Sequence, residues 1–195
     1  MQFTKSVPPE RAQLAFFTGL PNFLEGIEAI DDLGDILTGL PPEYDPLEIH
    51  TLGLQDLAGA AGIAAAEHAG WRFMAGGALT QPIAGDVTVP PFNRPPKLIS
   101  LMHGPQVPEF LHIAYSLMSR LEAQPNRLDT YELRILSVPG LLVEAFWLKT
   151  PDVETDLVVP YRNLVSELEG KPVFTMTEFL SIVKPLAAER LQFDD

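Results

Sequence analysis

His103 is the residue of this chain best placed to do chemistry. It closes the apolar run Lys97 to Met102 and precedes a helix opened by Pro108. The run reads as a buried strand, and proline is at home in the first turn of a helix. In open α/β sheets ligands gather at the carboxyl ends of strands, and a helix N-terminus offers free N–H groups to anions. A pocket at the loop of His103 and Gly104 implies a small-molecule-binding protein or a hydrolase-like enzyme. The competing reading is a turn residue hydrogen-bonded to backbone.

Glu144 is the second catalytic candidate. It is the one acid inside the apolar run Leu141 to Leu148, and general-acid work needs a carboxyl whose pKa is raised by burial. The alternatives are a solvent-facing position or a pair with Arg134 across the hairpin. A metal site requires His103, Glu109 and His112 to converge, and their spacing matches no ligand motif, so no metal is expected. His50 lies in an acidic loop, and His68 follows Glu67 near a helix end, where a histidine ordinarily meets the helix dipole. The paired carboxylates Asp31 and Asp32 fall on a solvated helix face. Tyr131, Phe146 and Trp147 read as core aromatics rather than a ligand box.

The familiar motifs are missing: no P-loop, no GxGxxG after a strand, no HExxH, no GxSxG and no EF-hand loop. Ala75-Gly76-Gly77-Ala78 lacks the following Lys-Ser/Thr and reads as a turn. No cofactor is expected. With no cysteine, the chain has no disulfide, no thiolate metal site and no thiol nucleophile.

The elements that would position these residues follow from periodicity. Residues 12–37 read as one amphipathic helix or two short ones, with Pro21 restarting the pattern. Residues 41–53 read as a loop rich in proline and acid. Leu54 to Gly70 is nearly all Ala and Gly, which predicts a small-residue helix packed tightly against a neighbour or across a dimer; Gly59→Leu would then disrupt self-association. Residues 76–96 form a Pro/Gly-rich strap, extended and unable to serve as a central strand over Val89 to Pro96.

The C-terminal half carries the clearest signals. Tyr131, Leu133 and Ile135 alternate with Glu132 and Arg134, the mark of a strand with one buried side. Leu141 to Leu148 is apolar on both faces and predicts a central, doubly covered strand. Asp156 to Pro160 makes a third. Thr175-Met176-Thr177-Glu178 matches a capping box, with Phe174 and Phe179 as a hydrophobic staple, and Pro185 is expected to kink or split the helix that follows.

The fold expected is α+β, or mixed α/β: N-terminal helices plus one four- or five-stranded sheet, with β-α-β-β-β-α order in the C-terminal half. Its 195 residues suit a single domain. Residues 1–75 would be its helical part, 76–96 the strap and 97–195 the sheet-containing core. If the strands at 97–102 and 131–138 are parallel neighbours, the helix between them crosses over right-handedly.

The net charge of −13 is uneven. Between Ala12 and Trp71 stand ten acids and no Lys or Arg. Such a surface repels nucleic-acid phosphate and anionic lipid. It suits a basic partner or keeps the chain in solution. The first eleven residues contain no apolar signal segment, and the apolar run Leu57 to Ala66 is half the length of a membrane span of about 20 residues. The chain is therefore expected to be soluble and cytoplasmic, without nucleic-acid or membrane partners. The reading favoured is a non-catalytic interaction or accessory protein that binds another chain through its acidic N-terminal surface, with the Ala/Gly helix as the route to any self-association.

Overall fold

A computed structural model describes residues 2–4, 6–24, 45–75, 82–90, 94–122 and 130–193. The elements run β1 (Gln2–Thr4), α1 (Glu10–Leu24), β2 (Leu47–Thr51), α2 (Leu54–Ala58), β3 (Glu67–Ala75), β4 (Ile83–Thr88), β5 (Lys97–Met102), α3 (Gln106–Glu122), β6 (Thr130–Val138), β7 (Val143–Lys149), β8 (Leu157–Arg162), β9 (Phe174–Thr175) and α4 (Met176–Phe193). The chain divides into two compact units that interleave in sequence. The first comprises residues 1–5, 49–68 and 119–195, the second residues 6–48 and 69–118.

In the first unit β6, β7, β8 and β9 form an antiparallel succession, and β1 lies parallel to β6 with Phe3 opposite Tyr131. Strand alternation sorts the side chains into two layers. Leu136, Val138, Val143, Ala145, Trp147 and Val158 pack with Leu57 of α2 and with Met176, Phe179, Val183 and Ala187 of α4. Tyr131, Ile135, Phe146 and Leu148 point to the opposite face and are also fully buried. β7 is therefore central and covered on both sides, as its apolar run requires. Each large side chain so buried contributes roughly 1.5–3 kcal/mol.

Helix α4 begins with the capping box. The Thr175 N–H donates to Glu178 Oε2 at 2.9 Å, and the Glu178 N–H donates to Thr175 Oγ1 at 3.2 Å. Phe174 and Phe179 are both buried in the same cluster, which makes the staple. Lys171 Nζ donates to Glu178 Oε1 at 2.7 Å. The Lys171 ammonium and the Thr175 N–H favour the charged carboxylate, and its pKa falls from 4.5 to about 2. A carboxyl depressed in the folded state takes up its proton first in the unfolded chain. The cap thus stabilises fully above about pH 4.5 and loses its effect as the pH falls towards 2. In thermal melts across that interval, wild type and Glu178→Gln are expected to converge as the pH drops. A constant gap would contradict the assignment. The helix runs on through Pro185 without splitting. Pro185 and Ser181 are both exposed, so the carbonyl that loses its i+4 donor faces water.

In the second unit β3, β4 and β5 are antiparallel with β4 in the middle. Trp71, Phe73, Ala75, Ile83, Val87 and Leu98 face α1, whose Ala12, Phe16, Leu20 and Leu24 complete the cluster. Phe16 stacks on Phe73 with centroids 5.1 Å apart. Gly85 permits this approach, because a Cβ there would stand 2.8 Å from the Phe16 ring. On the other face Arg72 pairs with Asp86, its cross-strand neighbour, through Nε–Oδ1 at 2.7 Å and a second nitrogen to Oδ2 at 2.9 Å. The same guanidinium lies over the Phe110 ring of α3 at 5.5 Å. The register between β4 and β5 shifts at Asp86/Val87, leaving Ile99 as the extra, exposed residue of a bulge. A bulge on a strand of this kind twists it away from edge-to-edge pairing.

Several expectations need correction. The mixed α/β class holds, but the described residues contain nine strands rather than four or five. The expected C-terminal order is interrupted by the two-residue strand β9 before the last helix. The small-residue helix over Leu54 to Gly70 is not formed. Its helical part stops at Ala58, a short 3-10 turn covers Gly62–Ala65, and β3 starts at Glu67. Gly62 adopts φ +51, which ends any helix there, and the Ala/Gly face suggested for self-association does not exist. β2 lies in what read as a loop, and β4 within what read as a strap. The strands at 97–102 and 131–138 are not neighbours: β5 pairs with β4, and β6 with β1 and β7. Among the described residues no helix is long and apolar enough to cross a membrane. Six of the ten acids between Ala12 and Trp71, including Asp31, Asp32 and Asp35, lie outside the described residues.

Candidate functional site

His103 sits on the turn between β5 and α3, exposed, next to Gly104 at φ +89. The turn is held by backbone, the Val107 N–H donating to the Gly104 carbonyl at 3.2 Å. Glu109 and His112 are exposed on α3. Among the described residues no three His, Cys, Asp or Glu side chains converge as metal ligands would.

Glu144 is half-buried on β7, on the face of Phe146, and accepts a hydrogen bond from the Tyr161 hydroxyl at 3.0 Å. Arg134 is not its partner. Arg134 stands opposite Trp147 and Glu144 opposite Ser137, so the period of two sends the two charges to opposite faces. Arg134 instead binds Glu132 at 2.6 Å and contacts His50 Nε2 at 3.1 Å.

That contact opens a polar cluster that sequence reading missed. Arginine only donates, so Nε2 of His50 accepts and the imidazole proton sits on Nδ1. The Trp147 ring is flanked by His50 at 5.5 Å, Arg134 at 5.8 Å and Lys149 at 5.3 Å. The ring of His68 lies 5.6 Å from that of His50. Trp147 Nε1 donates to Asp156 Oδ2 at 2.7 Å. Asp156 is fully buried, and its Oδ1 accepts from the Thr150 N–H at 2.7 Å and the Thr150 hydroxyl at 3.0 Å. These contacts are those of a scaffold: Asp156 ties the loop of residues 150–156 to the central strand. The alternation of Leu47 and Ile49 with Glu48 and His50 was the signal that His50 belonged to a strand.

A feature of the first unit that is not explained by folding is an open groove of about 550 Å³. One wall is the last two turns of α4, where Leu186, Glu189, Arg190 and Phe193 recur at helical spacing. The others are Leu54 of α2, the Pro139–Leu142 turn and residues 164–167. Leu142, Leu164 and Phe193 are 62%, 77% and 76% exposed. Three large apolar side chains around one concave surface form a patch, unlike apolar residues scattered singly.

Leu142 adds a second observation. It caps the 3-10 turn Pro139–Leu141 in the left-handed conformation, φ 54 and ψ 42, with its N–H bonded to the Pro139 carbonyl at 3.0 Å. A non-glycine residue there is strained by roughly 1–2 kcal/mol, and such strain concentrates at functional sites. Leu142→Gly is expected to be neutral or to stabilise by up to about 1 kcal/mol, while Leu142→Val, β-branched, destabilises. Urea denaturation of the two variants checks this.

No known protein family matches the chain, and no curated protein or solved structure shows significant similarity to it.

Proposed function

We propose that this chain is a non-catalytic interaction protein and that the groove of Leu142, Leu164 and Phe193 is its contact surface. The observation that carries this reading is the concentration of exposed apolar side chains around one groove, with one of them held in a strained backbone conformation. Full burial of each would contribute roughly 1.5–3 kcal/mol. Three together supply a large share of the roughly 8 kcal/mol that a micromolar complex requires. The ten acids between Ala12 and Trp71 give the chain as a whole an electrostatic preference for a basic partner.

The test places a photo-crosslinking residue at Leu164, at Phe193 and, as a control, at Val7, in the organism that makes the protein. The partner recovered is then purified and its affinity measured for wild type and Leu164→Asp. A common partner at both groove positions, absent at Val7 and bound at least about tenfold more weakly by the variant, supports the reading. Unchanged affinity overturns it. The alternative of a small-molecule-binding protein or hydrolase-like enzyme at His103 rests on strand-to-helix placement alone. It requires His103→Ala to abolish ligand binding or turnover.

A further inference from the structure

We infer that the occupant of the groove is an amphipathic helix of another protein, apolar on one face and carrying Lys or Arg at its margins. This rests on the docking reading above and names the partner's chemistry.

The first argument is the backbone of the lining. Extended peptides bind proteins by adding a strand to an open sheet edge, where main-chain groups supply the affinity. The groove offers no such edge, because its walls are α4, α2 and two tight turns. Of the lining turn residues, Leu142 has its N–H engaged internally, on the Pro139 carbonyl, and just beyond the lining the N–H groups of Leu168 and Glu169 donate to the carbonyls of Val165 and Ser166. A partner that satisfies its own backbone, as a helix does, suits a lining of helices and turns. The α4 wall from Leu186 to Phe193 is roughly 10 Å long at 1.5 Å per residue, which matches two turns of a helix laid against it.

The second argument is charge. Glu167 and Glu189 line the groove against the single cation Arg190. The Ser166 hydroxyl donates to Glu167 Oε2 at 2.9 Å. The groove also meets the C-terminal end of α4, where unsatisfied carbonyls concentrate negative potential and favour cations. A second copy of this chain, itself of net charge −13, is repelled overall, so self-association is the disfavoured occupant. A basic helix gains from every one of these terms.

The experiment uses the whole purified protein and two labelled model helices of about 14 residues with leucines at i, i+3, i+4 and i+7. One carries Lys at the remaining positions and the other Glu. Fluorescence anisotropy is expected to show the Lys helix binding at least about tenfold more tightly than the Glu helix, and losing at least about tenfold on Leu164→Asp or Phe193→Asp. Glu189→Lys should weaken it about three- to tenfold. Circular dichroism of the variants excludes unfolding, since all three side chains are exposed. Equal binding of both helices, lost in Leu164→Asp, overturns the basic-helix inference and supports the groove as a docking surface. Equal binding of the Lys helix to wild type and Leu164→Asp marks diffuse charge attraction and overturns it as well. Binding of neither helix overturns this inference, and the crosslinking experiment then decides the docking reading separately.

Discussion

Asp156→Ala is expected to destabilise the first unit by about 3 kcal/mol or more, among the largest effects of any single change in the chain. The carboxylate is fully buried and accepts from three donors: Trp147 Nε1, the Thr150 N–H and the Thr150 hydroxyl. The indole and the amide have no water to turn to once it is removed. An orphaned buried donor loses about 1–3 kcal/mol of solvation, which exceeds the net value of the bond itself. The backbone carbonyl of Asp156 also receives the Met176 N–H at 3.0 Å, so the same residue ties the start of α4 to the strand. Asp156→Asn keeps one acceptor oxygen and should recover part of the loss. The measurement is chemical denaturation followed by Trp147 fluorescence, in which the variant should also show a shifted native emission. A loss below about 1 kcal/mol would mean that the donors find other partners.

Breaking the Arg72–Asp86 pair is the second large effect. Arg72 is 2% exposed, and its carboxylate partner is mostly buried on β4, the middle of the three strands of the second unit. Arg72→Met leaves Asp86 as a buried carboxylate stripped of its bidentate guanidinium, which is expected to destabilise by about 3–5 kcal/mol. The double change Arg72→Met with Asp86→Leu removes both charges, and Met retains contact with the Phe110 ring. Replacing a buried pair by apolar residues is often neutral or stabilising, so the double variant should regain most of the lost stability. Melting temperatures of the single and double variants decide the matter. A double variant as unstable as Arg72→Met would show that packing shape, and not the stranded charge, sets the loss.

The elements legible in the sequence were those whose signals are local. The capping box and staple of α4 are complete within six residues, from Phe174 to Phe179, and the hydrogen bonds form as the residue types require. The double-sided apolar run of β7 and the alternation of β6 likewise describe their own burial.

The misread segments share a different physics. Leu54 to Gly70 has the composition of a helix, yet Gly62 is left-handed and Glu67 onward pairs as a strand. Helix propensity is a weak preference that tertiary pairing overrides. β4 was hidden because Gly85 and the nearby prolines read as a breaker. The glycine is there to admit the Phe16 ring, and only the packed structure shows that. His50 seemed to belong to an acidic loop because the period of two in Leu47 to His50 is only two repeats long.

Sequence alone determined the charge asymmetry, the absence of thiol chemistry, the C-terminal β succession and the capped final helix, because each is a property of composition or of neighbours along the chain. Tertiary structure alone decided the rest. The partners of Asp156 and Arg72, the separation of Arg134 from Glu144, and the groove formed by residues 54, 139–142, 164–167 and 186–193 all join different segments of the chain. Such contacts depend on which faces meet when the apolar surfaces are buried, and no spacing within one segment encodes them.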